Sequence, residues 1–397
     1  MGRLAFLVLS VAGALVAAQI PTGTKLEIRL TTALNSATAK PKDPLQAVVI
    51  APVLVGEAIV IGQGTKVTGQ VKEVKIAPAL DQQTVLDLSF TEVRDSRGKR
   101  AAISARLVDV DNARETVDEA GRIMGIVAAQ TASARLDQGI NKIAQKYPDL
   151  AGLLGAAKQS VVKETDPSIN YQPGVEMTIE LTKPLDWTGE APIPNVRPIS
   201  PADDLSRLVN REPFMTRAER PPQDSDVTNL MFLGSENDLV QAFQAAGWSQ
   251  AEQLSGQSKL ETFRAIVELR GYKEAPVSTI LLADRPPDLV FEKMNNTFAA
   301  RHHLRIWHRP GSFNGRETWV CAATHDTGIE FSEQNRTFIH KIDSEIDRER
   351  AKVVNDLLYT GQVKGLSLVT RPDVPTSGYN ATGDQFRTDG RMAVLSF

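Results

Sequence analysis

Gly23-Thr-Lys-Leu-Glu-Ile-Arg-Leu-Thr31 and Gly174-Val-Glu-Met-Thr-Ile-Glu-Leu-Thr182 are the two stretches that decide the fold. Each comes after a proline and carries an apolar residue at every second position: Leu26, Ile28 and Leu30 in the first, Met177, Ile179 and Leu181 in the second. Successive side chains of a strand point to opposite faces, so this alternation predicts two half-buried strands. Their likeness predicts the first and last strands of one β-domain, paired to close it.

The chain between them reads mostly as further strands. Ala47 to Ile61 is a near-continuous apolar run with a turn at Gly56-Glu57, and Thr65 to Val74 alternates through Val67, Val71 and Val74. Val85 to Val93 and Ala101 to Val110 add two strands, split by the turn Asp95-Ser96-Arg97-Gly98. Ala113 to Val162 differs in texture. It is rich in Ala, Gln, Leu and Lys and predicts two helices meeting near Tyr147-Pro148-Asp149. The expected N-terminal unit, residues 19–187, is therefore all-β, barrel or sandwich-like, with a helical hairpin inserted at 113–162.

Pro184 to Pro222 holds eight prolines. That density predicts an extended, semi-rigid connector over 188–225 and no regular helix. Beyond it, residues 226–397 predict an α+β domain. Ser235 with Asp238 and Ser258 with Glu261 have the spacing of capping boxes, with Gly247 and Gly271 closing those helices. Ser344 with Asp347 predicts a third helix carrying Ile346, Val353 and Leu357 on one face. Val277 to Ala283, Arg301 to Arg309, Thr318 to Asp326 and Arg391 to Phe397 read as strands.

Composition bounds the function classes. The chain has 397 residues, 42% apolar and 23% charged, with a net charge of -3. That is ordinary globular composition, and no overall basic character points to a nucleic-acid partner. Arg3 followed by the apolar run Leu4 to Val16 and the small residues Val16-Ala17-Ala18 has the form of a cleavable secretory signal over 1–18. As a helix that run reaches about 20 Å, short of the roughly 30 Å of a bilayer core. The expected location is the periplasm or the cell exterior. Cys321 is the one cysteine, so no internal disulfide forms, and a lone thiol outside the cytoplasm is safest when buried.

All five histidines lie between His302 and His340, the strongest chemical signal in the chain. In a strand, His302, Leu304, Ile306 and His308 share one face; His303, Arg305 and Trp307 share the other. His303 and Arg305 then stand roughly 6.6 Å apart, close enough to grip one anion. Trp319, Cys321, Ala323 and His325 share a face of the next strand, with Asp326 at its end. His340 precedes Asp343, Asp347, Glu349 and Arg350 near a helix start, where backbone amides suit anions. Asp343 and Asp347 read equally as capping residues, and Arg350 pairs with Asp347 at i, i+3. His302 and His308 are expected at exposed or rim positions. HExxH, CxxC pairs and GxSxG are absent, so neither a zinc site nor a serine triad is expected and no cofactor is indicated.

The runs Asp288-Leu-Val-Phe-Glu-Lys293, Arg301-His-His-Leu-Arg-Ile-Trp307, Trp319-Val-Cys-Ala-Ala-Thr-His-Asp326 and His340-Lys-Ile-Asp-Ser-Glu-Ile-Asp-Arg-Glu-Arg350 resemble the LssY C-terminal domain family, over roughly 210–397. The resemblance marks His303, Arg305, Trp307, Asp326, His340, Asp343, Asp347, Glu349 and Arg350. Domains of that bacterial family are often joined to membrane phosphatases or sit near secretion systems. No stretch here resembles the phosphatase portion, so the resemblance implies no such activity. Pro21-Thr-Gly23 and Gly64-Thr-Lys-Val-Thr-Gly69 are similar to β-modules of conjugation-type secretion proteins.

Two functional expectations follow. The first is an envelope binding or scaffold protein: the β-domain meets a protein partner, and the C-terminal domain holds an anionic lipid or glycan with His303, Arg305 and His340. Trp307, Asp326, Asp347 and Arg350 are the other candidate ligand-binding residues. The second is an envelope hydrolase acting on phosphoesters or related substrates, using His303 or His340 as acid/base, oriented by Asp343 or Asp326, with Arg305 stabilising developing charge. Both require His303, Arg305, Asp326, His340 and Asp343 to share a pocket.

Overall fold

The computed structural model describes residues 18–127, 166–250, 280–293, 301–332 and 337–397, apart from positions 57, 80, 190, 192, 193, 220 and 221. The expected signal over 1–18 lies almost wholly outside the described residues, as do most of the helical insert and the Ser258 helix.

Six strands of the N-terminal unit close on themselves. They are β1 (Lys25–Leu30), β2 (Pro44–Val49), β3 (Lys66–Lys75), β4 (Val85–Arg94), β5 (Arg100–Val110) and β6 (Glu176–Leu181). The antiparallel order β4-β3-β2-β1-β6-β5 returns to β4, so no edge is left among the six. The predicted closing pair is β1 with β6, with Ile28 opposite Met177 and Leu26 opposite Ile179. Leu26, Ile28, Met177, Ile179 and Leu181 fill the barrel with Val49, Val67, Leu86 and Phe90. The polar side of the same pair, Glu27, Arg29, Glu176 and Thr178, faces outward and becomes a wall of the site described below.

The start of the predicted insert is not helical. Thr116–Val117 and Arg122–Met124 pair with each other, and the second pairs with β4. Gly121 at φ +84 makes the tight turn between them.

The proline-rich connector also differs from expectation. Its prolines leave 202–212 clear, and helix α1 (Ala202–Arg211) forms in that gap with Pro201 at its N-cap. Leu205 and Val209 of α1 are buried against the second domain. Strand β7 (Met215–Ala218) follows and pairs with β8 (Gln223–Val227) and β11 (Ile280–Leu281).

The second domain is built on one mixed sheet. Its order is β10 (Trp248–Gln250), β12 (Leu289–Lys293), β13 (Arg301–Phe313), β14 (Arg316–Ser332), β9 (Leu230–Leu233), β17 (Arg391–Ser396), β16 (Gly365–Thr370); β15 (Thr337–Ile342) pairs with the far end of β14. Both faces are covered. Leu304, Ile306, Trp319, Cys321 and Ala323 pack under α2 (Glu236–Ala245) and α3 (Ile346–Tyr359). Trp307, Val320 and Ala322 pack on the opposite side under α1. The Ser235–Asp238 capping box is complete, side chain to backbone in both directions. Helix α3 starts at Ile346, without a side-chain cap from Ser344. Asp347 instead turns to Thr388 and Asp389, accepting from Thr388 Oγ1 at 2.9 Å and from the Asp389 amide at 2.6 Å. Ile346, Val353 and Leu357 are buried together, as the periodicity predicts.

Candidate functional site between the two domains

Helix α3 carries a second, charged stripe about a quarter turn from its apolar one, and this stripe meets the barrel. Arg29 of β1 pairs with its cross-strand neighbour Glu176 at 2.7 Å and with Asp356 of α3 at 3.2 Å. Lys293 Nζ lies 3.0 Å from Glu176 and 2.7 Å from Asp356, and Trp248 Nε1 donates to Asp356 at 3.0 Å. Lys352 also donates to Glu176. Burial alone would raise the Glu176 carboxyl, but Lys293, Lys352 and Arg29 hold it well below the usual carboxylate range. Buried charge is tolerated only when paired and hydrogen-bonded, and here each domain supplies the partners for the other.

Next to this network, the register of β13 and β14 sets His302 opposite His325. Cross-strand partners share a face, and the two imidazoles stack at 4.1 Å between centroids with planes 19° apart. His302 Nδ1 donates to Glu349 Oε2 at 2.6 Å, and its Nε2 lies 3.0 Å from both oxygens of Asp111. His325 Nε2 donates to Asn112 Oδ1 at 3.0 Å. Asp111 and Asn112 form the turn just after β5, with Asn112 at φ +54. Burial opposes charge on His302, yet the carboxylates of Asp111 and Glu349 outweigh it and raise its pKa to about 10. Burial likewise works against Asp111, but the facing imidazolium brings it down to about 2. His325, desolvated and stacked on that cation, is pushed down and stays neutral.

These groups line an interdomain cavity of about 560 Å³. Its walls carry the carboxylates of Glu27, Asp109, Asp111, Glu176, Asp343 and Glu349 against Arg348 and Lys352. Glu27 is raised by burial and by its acidic neighbours Glu176, Asp356 and Asp111, though Lys352 opposes this, and Asp109 is raised by burial and by Asp111. Glu349 Oε1 is buried without a hydrogen-bond partner among the described residues. Among the described residues the lining keeps an acid surplus even with the His302 imidazolium counted, and so suits a cation. Three donors that could hold a metal gather here, with ligand atoms of Asp111, His302 and His325 all within 4.8 Å of one another. No metal set is visible in the sequence spacing because one donor comes from the first domain.

The residues singled out from sequence do not share one cavity. His303 Nε2 lies 2.9 Å from Asp326 Oδ1, and Arg305 donates to Asp226 at 3.0 Å, with Arg305 and His303 Nδ1 3.4 Å apart. His303, Arg305 and Asp326 thus meet one another, but buried, on the sheet face opposite His302. Trp307 is core: it is 1% exposed and donates to the Arg285 carbonyl at 3.0 Å. Arg350 pairs with Asp347 at 3.0 Å, as the i, i+3 spacing predicts, and forks onto Asp389 at 2.8 Å through both terminal nitrogens. Asp343 is on the interdomain cavity, 3.6 Å from Arg348 and capping the Glu345 amide at 2.9 Å. His340 stands in β15 opposite Ile329. His302, expected at a rim, is 4% exposed because the barrel covers that end of the sheet. His308 is half-buried, its ring edge-on to Trp319 at 4.7 Å.

Asp111, Asn112, Glu176 and Lys352 escape a sequence reading that seeks the site within the second domain. The only local trace of the first two is an Asp-Asn turn at the end of a strand.

Residues 212–392 match the family described as LssY C-terminus. No curated protein matches the chain. Among solved structures, ComB10 of the Com type IV secretion system of Helicobacter pylori aligns with 42% of this chain and 90% of its own, at 11% identity and a TM-score of 0.24. No helix among the described residues is long and apolar enough to cross a membrane.

Proposed function

We propose that this LssY-type domain and the barrel before it form a single exported binding protein of the bacterial envelope, whose ligand sits between the two units. The observation that carries this reading is the interdomain cavity walled by charged residues of both domains. Export is supported by the pattern of Met1 to Ala18. The acid surplus of the walls favours a cation or an amine-bearing group over the anionic lipid or glycan suggested by the arginine-rich strand. Arg305, the best-placed arginine for an anion, is instead neutralised by Asp226 inside the domain.

Hydrogen exchange on the full chain tests this. Amine-bearing compounds are expected to protect β6 and α3, which flank the cavity, while phosphorylated lipids and glycans leave them unchanged. Protection of the same segments by a phosphorylated compound instead would overturn the cationic reading.

A further inference from the structure

Resting on that reading of the cavity, we propose that Asp111, His302 and His325 bind a divalent first-row transition metal ion. Glu349 is the outer carboxylate that orients His302, and the ion is the cation the acidic walls attract.

The geometry carries the argument. Bonds of about 2.0–2.2 Å to nitrogen and carboxylate oxygen place ligand atoms roughly 3–4 Å apart around one ion. The donors here already lie within 4.8 Å of one another, so the site closes by small side-chain rotations. The Nε2 atoms of His302 and His325 both point at the Asp111-Asn112 turn, each 3.0 Å from a side-chain oxygen. An ion seated there takes the place of the protons shared across those contacts, and Asn112 Oδ1 becomes a fourth donor. Binding exchanges the Nε2 proton of His302 for the ion; the proton of His325 moves to Nδ1.

Glu349 supplies an independent observation. A metal-bound imidazole is usually fixed by a carboxylate on its other nitrogen, and Glu349 holds His302 Nδ1 at 2.6 Å. Its second oxygen is buried with no hydrogen-bond partner among the described residues, a cost that a nearby dication offsets. Two imidazoles with oxygen donors suit zinc, iron or cobalt, whereas calcium and magnesium prefer all-oxygen shells. Cys321 is two residues from Ala323 on this face but is sealed in the core, leaving the donor set nitrogen and oxygen.

The experiment is a calorimetric titration of the chelator-treated full chain with Zn²⁺ and, separately, Mg²⁺. One Zn²⁺ per chain is expected, with Mg²⁺ at least about a hundredfold weaker. His325→Ala removes a half-buried neutral ring without breaking the His302 ion pairs, and should weaken Zn²⁺ at least about tenfold; Glu349→Gln should do so by about 10–100-fold. Unaltered Zn²⁺ affinity in a natively folded His325→Ala protein overturns the site, as does absence of Zn²⁺ binding to the wild type. In the second case, protection of β6 and α3 by an organic diamine leaves the cation-cavity reading standing and removes only the metal; no protection removes both.

Discussion

His302 and His303 are neighbours in sequence with the same chemistry, yet they live in different proteins as far as their side chains are concerned. His303 faces the side of the sheet where its own domain supplies Asp326 at 2.9 Å, Thr324 and the Arg305–Asp226 pair. Among the described residues, Asp326, Arg305 and Asp226 of the same domain are its ionisable neighbours. His302 faces the side where the sheet meets the barrel, and Asp111, one of the carboxylates it meets, lies 191 residues earlier in the chain. The alternation of a strand separates the two environments completely. A cluster of histidines in sequence therefore marks two sites of different character, one closed within a domain and one shared across a boundary.

If the shared face is what joins the domains, breaking its charge network should produce the largest effect. Asp356→Ala removes the carboxylate that lies 2.7 Å from Lys293 and 3.2 Å from Arg29, leaving buried cations short of countercharge. Losing one partner of a buried ion pair costs about 3–5 kcal/mol. The denaturant midpoint should fall accordingly, and the barrel and second domain should then unfold in separate steps. A loss below about 1 kcal/mol would mean that the network does not couple the domains.

The closed face should respond less. Asp226→Ala takes a carboxylate from the buried Arg305, a single 3.0 Å pair where Asp356 meets three cations, so the expected cost is about 3 kcal/mol, the low end for a buried pair. Because that carboxylate lies on the other side of the sheet, Zn²⁺ affinity should not change. A parallel loss of Zn²⁺ binding in a folded Asp226→Ala protein would mean that the two faces communicate.

A third contrast is in pH. His302, raised from 6.5 to about 10, stabilises the folded state fully below about pH 6.5 and loses that contribution as pH climbs to about 10. Asp111, lowered from 3.8 to about 2, contributes fully above its free value and loses its contribution as pH falls to about 2. The pair is therefore worth most between about pH 4 and 6.5. Metal-free protein should show a lower denaturant midpoint at pH 9 than at pH 6, and Asp111→Asn should shrink that difference. An equal difference in both proteins would show that the pair does not set the slope.

How much of this was legible in the sequence follows from the range of each interaction. The alternation in β1 and β6 is local, and it identified both strands and their closing partnership. The Ser235 capping box is local and reads directly, whereas Ser344 shows the limit of the rule, since Thr388 and Asp389 draw Asp347 away. Eight prolines between Pro184 and Pro222 suggested a connector without helix, but what matters is their spacing, and the gap from 202 to 212 accommodates α1. The site was half legible. Strand periodicity sorted His302 from His303, but only the pairing of β13 with β14 brings His325 beside His302, and only docking of the barrel brings in Asp111. Interactions that depend on strand register and domain docking leave no periodic trace in the chain.

The smallest effect belongs to Trp307, marked by the family resemblance and sharing a face with His303. Its ring packs with Val320, Ala322 and Leu205, and Nε1 donates to the Arg285 carbonyl at 3.0 Å. Trp307→Phe keeps an aromatic ring in that space and removes one neutral hydrogen bond, worth about 0.5–1.5 kcal/mol net. The thermal midpoint should drop by a few degrees at most, with no change in the exchange protection that amine-bearing compounds give β6 and α3. A residue that binds ligand would do the reverse: little change in stability and a clear loss of protection. Measuring both on the same protein decides whether Trp307 belongs to the core, as its 1% exposure indicates, or whether the face carrying His303 also meets a ligand.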